Sequence, residues 1–259
     1  MATPKVHLVG AGPGAADLLT LRAARLLGEA DIVFHDALIG PDVLELAPRA
    51  ILVPVGKRSG RHSTAQHFIN KRLADAAARY RVVVRLKGGD PMLFGRAHEE
   101  ITYLRSRGIA VEVVPGVTAA LAAAAELNVS LTQRGLARSV TFVTPRVGAG
   151  ERDSSWLAAA LAADSVAIYM GAGEAPAIAA ALIAGGKAPS TPVAIVQDAS
   201  LPTGTAAHGT LAALPQHAGN APALILVGEI LQRYRPSTSG NVATSTLADL
   251  RVRSASQSA

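Results

Sequence analysis

Three short loops rich in glycine and proline each follow a run of β-branched residues, and together they indicate a binding site. They read GAGPG at 10–14, LKGGDP at 86–91 and VPGVTAA at 114–120. Taken singly, each loop would be an ordinary turn between a strand and a helix. Because the carboxyl ends of strands in one parallel sheet share an edge, three such loops point into one crevice. The spacing therefore favours a shared small-molecule site.

The first loop is similar to the glycine fingerprint of dinucleotide-binding folds but departs from it at two positions. Ala15 stands where the fingerprint has its third glycine, and Pro13 has no N–H to donate to a pyrophosphate. A cofactor without phosphates would not need that donor. Asp36 ends the second apolar run about where a ribose-binding acid would lie, so an NAD-binding oxidoreductase stays an alternative.

The elements that must position these loops alternate between apolar runs and Ala/Leu-rich helical patterns, which is typical of an α/β fold. We predict two α/β lobes, 1–117 and 118–235, each around a largely parallel or mixed sheet. The segment 236–259 is rich in Ser, Thr and Ala and is predicted to be a disordered tail. The predicted strands of the first lobe are VHLVG, DIVFH, ILVPVG, RVVVRLKGG and VEVVPG, and those of the second are SVTFVT, SVAIYMG, PVAIVQD and ALILVGEIL.

Composition narrows the function classes. The 259 residues include no cysteine, which excludes disulfides and thiolate nucleophiles, and the 7 histidines show no ligand spacing, so we expect no metal site. The net charge of +6 suits an anionic partner, but with 3% aromatic residues and no basic stripe a polyanionic small molecule fits at least as well as nucleic acid. The chain shows neither a signal peptide nor an apolar run long enough for a membrane span, so we predict a cytoplasmic protein.

Seven segments run in order from about residue 5 to residue 234: VHLVGAGPGAADLLTL, VGKRSG, VVRLKGGDPMLFGRAHEE, VVPGVTAA, SVTFVT, IYMG and PALILVGEI. In these segments the chain resembles the tetrapyrrole methylases, and most closely the uroporphyrinogen-III C-methyltransferases. The string LKGGDP-x-x-FGR is the most specific, since diphthine synthases and rRNA ribose methyltransferases differ just after this loop.

The resemblance implies a fold, a reaction and partners. It implies S-adenosylmethionine as cofactor, converted to S-adenosylhomocysteine, in a cleft between the two lobes. It implies that uroporphyrinogen III, a tetrapyrrole with eight carboxylates, is methylated twice to precorrin-2 for sirohaem- or cobalamin-type synthesis. It also implies a homodimer. The positive charge balance would then serve to bind the carboxylates.

The resemblance also assigns residues on both sides of the expected site. Asp36 is expected to accept a proton, and Lys57 to donate one or to anchor a carboxylate. Arg96 and Glu99 are expected to pair on a helix, and because a guanidinium is effectively always protonated, Arg96 and Arg134 are assigned to carboxylate binding. The expected cofactor contacts are Pro13, Gly88, Gly89, Asp90, Leu93, Thr118, Ala119, Met170, Ala199 and Ala223.

The chain departs from the family pattern at three places. FGRAHEE has Ala97 and His98 where the family has two glycines, TQR has Gln133 in place of histidine, and TPR has Pro145 and Arg146 in place of Gly-His. If histidine transfers a proton at these sites in the family, this chain uses another group.

Two further alternatives share this fold: a methylase of later corrinoid intermediates, and a nucleic-acid-modifying enzyme suggested by the basic charge. Some relatives carry a dehydrogenase/ferrochelatase module before the methylase. We expect none here because the chain starts at the methylase glycine loop.

Overall fold

The chain folds into two compact units, Met1–Ala119 and Ala120–Ala259. The computed structural model describes residues 4–56, 66–148, 154–214, 222–234 and 243–246. Each unit has helices packed on a β-sheet, which confirms the predicted α/β class. Among the helices of these described segments, none is both long enough and apolar enough to cross a membrane.

The sheet of the first unit is parallel throughout its described strands, as the sequence predicts. Its strand order is β3-β2-β4-β1-β5. This order places the carboxyl ends of β4, β1 and β5 side by side, and these are the strands that the three glycine loops follow. The strands are β1 (Lys5–Gly10), β2 (Ile32–His35), β3 (Ile51–Pro54), β4 (Val83–Lys87) and β5 (Ala110–Val114).

Helices cover both faces of this sheet because successive strand residues point to opposite sides. On one face Leu27 packs with Val9 and Val33, and on the other Leu73 packs with Val6. The helices of the first face are α1 (Leu21–Glu29) and α2 (Pro41–Leu44), and those of the second are α3 (Gln66–Ala77) and α4 (Ala97–Arg105), with a 3₁₀ turn at Ala16–Leu18 before α1.

The second unit is built on a mixed sheet in the order β11-β9-β8-β10-β7-β6. The pair β6 and β7 is parallel and the other described pairs are antiparallel. Its strands are β6 (Val140–Val143), β7 (Ser165–Ile168), β8 (Pro192–Gln197), β9 (Thr205–Thr210), β10 (Ala223–Val227) and β11 (Ala243–Thr246). Its helices are α5 (Ala119–Glu126), which starts at the unit boundary, α6 (Trp156–Ala162) and α7 (Ala175–Ala184), with 3₁₀ helices at Ala172–Glu174 and Glu229–Tyr234.

Two strands of the second sheet lie where the sequence predicts none. β9 reads TAAHGT, which lacks the Val/Ile run of a strand, yet it pairs with β8 along six residues. β11 falls in 236–259, the predicted disordered tail, and pairs antiparallel with β9. The structure corrects the prediction for these four residues, because backbone groups on an edge strand can pair with a segment that has no apolar pattern. The rest of that tail lies outside the described residues.

Backbone packing of glycines joins the three loops of the first unit. The Gly12 N–H donates to the Gly89 carbonyl at 3.2 Å, and the Gly89 N–H donates to the Gly12 carbonyl at 2.7 Å. A Cβ on Gly116 would lie 2.9 Å from the Gly10 Cα and would overlap the Gly89 carbonyl oxygen. Glycine at these positions therefore sets how closely the loops approach one another.

We predict that Gly116→Ala lowers the free energy of unfolding by about 1–3 kcal/mol, the usual cost of overpacking a closely packed interior. Urea denaturation measures this change. Gly28→Ala is the matched control, because the added Cβ lies 4.0 Å from the nearest atom and alanine favours a helix. Equal stability of Gly116→Ala and the parent chain would show that the loops have room to separate.

Candidate functional site

Asp90 joins two of the three glycine loops of the first unit. Its Oδ1 accepts a hydrogen bond from the Met92 N–H at 2.8 Å, and its Oδ2 accepts one from the Gly116 N–H at 3.0 Å. The Ala11 N–H of the first loop donates to the Lys87 carbonyl at 2.8 Å. The loops after β1, β4 and β5 are thus linked by hydrogen bonds at one edge of the sheet.

The sequence-predicted cofactor residues of the first unit all lie in or directly after these loops. Pro13 is half-buried and has no N–H, and Thr118 is buried. A Cβ on Gly88 would meet no atom within 4 Å, so the backbone there is open to a bound molecule. It stays a prediction that these residues contact a cofactor. They are Pro13, Gly88, Gly89, Asp90, Leu93, Thr118 and Ala119.

The second unit brings three other predicted residues to one edge of its own sheet. Ile168 pairs with Ile225 and Gln197 pairs with Ala223, so β7 and β8 end where β10 begins. Met170 follows β7 and is 49% exposed, and Ala199 follows β8 and is buried. The structure places Met170, Ala199 and Ala223 together, and their role in cofactor binding stays a prediction.

Arg134 lies in a different part of the second unit. It is exposed, in a turn that Gln133 and Ala137 close by two backbone hydrogen bonds of 2.8 Å. This turn leads into β6, which runs parallel to β7, so β6 begins at the edge of the sheet opposite Met170. Arg134 is therefore not grouped with the predicted cofactor residues of this unit.

Left-handed backbone occurs in two loops that follow strands and carry predicted site residues. Phe94, Arg96 and Met170 have φ values of 51°, 56° and 56°. Such conformations are costly for residues other than glycine, and they persist where the surrounding structure holds them, often at functional loops. The loop that carries the most specific sequence motif thus has a fixed, unusual backbone just before α4.

Arg96 and Glu99 form the ion pair that their spacing predicts. Arg96 donates from Nε to Oε1 and from Nη2 to Oε2 of Glu99, both at 2.7 Å. The hydrogen bonds from Arg96 hold the pKa of Glu99 below its usual range. The two side chains are 59% and 47% exposed, so both charged groups are accessible to a solute.

A largely buried set of polar side chains, which we call the Glu100 cluster, lies beside this surface pair, and Asp36 is its one member that the sequence analysis predicts. It consists of Asp36, Gln66, Arg85, Lys87 and Glu100. The Glu100 side chain is 0% exposed. Its Oε1 accepts hydrogen bonds from Gln66 Nε2, Arg85 Nε and Lys87 Nζ, each at 3.1 Å, and its Oε2 accepts one from Lys87 Nζ at 3.0 Å.

Asp36 is the point where the Glu100 cluster meets solvent. Arg85 Nη2 donates to Asp36 Oδ1 at 2.5 Å. The Asp36 side chain is 30% exposed, whereas those of Arg85 and Lys87 are each 4% exposed. Burial, together with the neighbouring charge of Arg85, lowers the pKa of Lys87 although Glu100 opposes this. Asp36, the residue predicted to accept a proton, is thus held by the buried guanidinium of Arg85.

A signal for this cluster is present in the sequence. Arg85 and Lys87 are two apart in the otherwise apolar run VVVRLK, so they point to the same face of a buried strand. Buried cations need carboxylate partners, which predicts an acid on the facing helix. Lys57, the other predicted proton-transfer residue, lies outside the described residues.

The sequence-predicted site residues do not line either of two cavities in the described part of the second unit. One of about 280 Å³ is lined by Asp164, Lys187 and Glu229 among others, and one of about 450 Å³ includes Leu121 and Phe142. Within the described segments, no group of three or more His, Asp or Glu side chains is arranged to hold a metal ion.

Comparison with known proteins identifies relatives over most of the chain. The model of the tetrapyrrole (corrin/porphyrin) methylases matches residues 5–215. A siroheme synthase of Chromobacterium violaceum is 47% identical over 232 residues, which are 88% of this chain and 49% of that protein. A siroheme synthase of Pseudomonas fluorescens is 45% identical over 237 residues, covering 90% and 51%. The chain spans about half the length of these curated relatives.

Solved structures show the same similarity. A uroporphyrin-III C-methyltransferase from Thermus thermophilus, complexed with S-adenyl homocysteine, is 38% identical with a TM-score of 0.79, covering 88% of this chain and 99% of that one. A cobalt precorrin-4 methyltransferase is 27% identical with a TM-score of 0.73, covering 88% of this chain and 95% of that one.

We predict that Glu100→Gln destabilises the chain by about 3–5 kcal/mol, because it leaves two buried cations without their shared carboxylate. Urea denaturation measures the loss. The matched control is Glu99→Gln on the adjacent residue, whose exposed pair with Arg96 should be worth about 1 kcal/mol or less. Similar losses for the two variants would contradict the assignment of Glu100 as the buried anchor.

Proposed function

Since the chain belongs to the tetrapyrrole (corrin/porphyrin) methylases, we propose that it is an S-adenosylmethionine-dependent C-methyltransferase. Its substrate is uroporphyrinogen III, which it methylates twice to give precorrin-2 by way of precorrin-1. The observation that carries the proposal is the match, over 88% of this chain and 99% of the other, to a uroporphyrin-III C-methyltransferase complexed with S-adenyl homocysteine. The siroheme synthase names of the relatives support siroheme as the end product.

The loop residues of the first unit fit this cofactor better than a dinucleotide. Pro13 offers no N–H at the place where a pyrophosphate would need one. Asp36, which a dinucleotide would use to bind ribose, accepts a hydrogen bond from Arg85 instead. We propose that Gly88, Gly89 and Thr118 hold the cofactor, with Gly88 offering open backbone to it.

S-adenosylmethionine supplies an electrophilic methyl group on a sulfonium, so the protein needs little acid or base strength to activate it. The residues of the protein must orient the tetrapyrrole and remove one proton for each methyl group added. Arg85 binds Asp36 Oδ1, so Asp36 Oδ2 is the proposed proton acceptor. Arg96, exposed at the start of α4, is proposed to bind a substrate carboxylate.

A second candidate is methylation of a later corrinoid. The cobalt precorrin-4 methyltransferase shares the fold at a TM-score of 0.73, but its identity of 27% is lower than the 38% of the uroporphyrin-III enzyme. We also propose a homodimer and a cytoplasmic location, and both rest on the resemblance to the family.

The test is anaerobic incubation of the chain with S-adenosylmethionine and freshly reduced uroporphyrinogen III, with the products identified by mass spectrometry. A gain of two methyl groups is expected. A gain of one would point to a pocket altered by Ala97, His98 or Gln133. Binding of S-adenosylhomocysteine without methylation would contradict the proposed substrate and favour a corrinoid acceptor.

We predict that Arg96→Leu lowers kcat/KM by at least about 100-fold, because the proposed bidentate contact with a substrate carboxylate is lost. Calorimetry should show S-adenosylhomocysteine affinity within about twofold of the parent value. Arg105→Leu, which removes an exposed arginine from the other end of α4, serves as the control and should retain activity. Loss of cofactor affinity in Arg96→Leu would place Arg96 on the cofactor side instead.

A further inference from the structure

We propose that Arg85 is a positioning residue for Asp36 in methyl transfer, and that Glu100 holds Arg85 in the orientation this requires. The inference rests on the proposed function, and it assigns a role to buried residues that do not themselves reach the substrate. Its basis is the geometry of the Glu100 cluster.

Each nitrogen of the Arg85 guanidinium is engaged by a different partner. Nε donates to Glu100 Oε1 at 3.1 Å, and Nη1 donates to the Leu86 carbonyl at 3.0 Å and to the Phe34 carbonyl at 3.5 Å. Nη2 then donates to Asp36 Oδ1 at 2.5 Å. Because a guanidinium is planar and rigid, its bond to Glu100 determines the direction in which it meets Asp36.

The backbone of Asp36 is fixed from another direction. A Cβ on Gly56, two residues after β3, would lie 2.9 Å from the Asp36 Cα. The chain after β3 thus packs directly on the backbone of Asp36. With the backbone held by this packing and the carboxylate held by Arg85, the second oxygen of Asp36 has a defined position.

The charges of the Glu100 cluster balance one another. Asp36 and Glu100 supply two negative charges, and Arg85 and Lys87 supply two positive charges, so the set is neutral as a whole. Three of these side chains are 4% exposed or less, while Asp36 is 30% exposed. The cluster therefore presents a single carboxylate to solvent, at the residue proposed to accept the proton.

A lysine at position 85 would keep the positive charge but lose the rigid planar donors that bind Glu100 and Asp36 at once. We therefore expect Arg85→Lys to lower kcat by at least about tenfold while KM for uroporphyrinogen III and the Kd of S-adenosylhomocysteine change by less than about twofold. Asp36→Asn should lower kcat further. If Arg85 acts through Asp36, the double variant should be no slower than Asp36→Asn alone.

Steady-state kinetics of the full chain at saturating S-adenosylmethionine test this, with rates expressed per site that binds S-adenosylhomocysteine so that only folded protein is counted. Parent-like kcat in Arg85→Lys, or multiplicative losses in the double variant, would overturn the proposal.

Asp36→Glu provides a test that leaves the buried cations in place. It moves the carboxylate by one methylene and should also lower kcat by about tenfold. Parent-like kcat in this variant would likewise overturn the proposal.

Lys71→Gln is the control variant, since Lys71 forms an exposed pair with Asp75 on α3 at 2.7 Å, and it should not change kcat. Failure of the proposed function and failure of the positioning role give different results. If the parent chain makes no methylated product, the proposed function fails. If the parent chain is active and Arg85→Lys is equally fast, the positioning role alone fails.

Discussion

The carboxylate of Glu100 is fully buried, and the arrangement of the first unit's binding edge depends on it. An ion removed from water costs several kcal/mol unless charged and polar partners surround it. Here Arg85 and Lys87 reach Glu100 from the end of β4, while Glu100 itself lies in the first turn of α4. The loop 88–96 between these elements is therefore anchored at both ends by one set of ion pairs.

The contents of that loop depend on this anchoring. It carries the Gly-Gly-Asp-Pro turn, whose Asp90 binds the Gly116 N–H of the neighbouring loop. It also carries Arg96, whose left-handed backbone turns the chain into α4. A ligand that binds at Gly88 and a substrate that binds at Arg96 would thus contact the same loop, 88–96, whose two ends are held by the ion pairs of Glu100. The glycine contacts between the loops then hold this segment against β1 and β5.

The sequence predicts the strands of the first sheet well because each is a Val/Ile-rich run ended by a turn. It predicts β9 and β11 poorly because their pairing uses backbone groups that leave no side-chain pattern. Glu100 was missed for a different reason. Glu99 and Glu100 are adjacent, and only the helix geometry, in which Ala97, Glu100 and Leu104 share the buried face, separates the surface acid from the buried one.

The central claim is that the glycine loops of the first unit hold the sulfonium cofactor while the Glu100 cluster holds Asp36. A crystal structure of the chain with S-adenosylhomocysteine tests it most directly. We predict ligand density against Gly88, Gly89 and Thr118, with Arg85 still bound to Asp36. Density in the cavity lined by Asp164 and Lys187, with no contact at Gly88, would contradict the account.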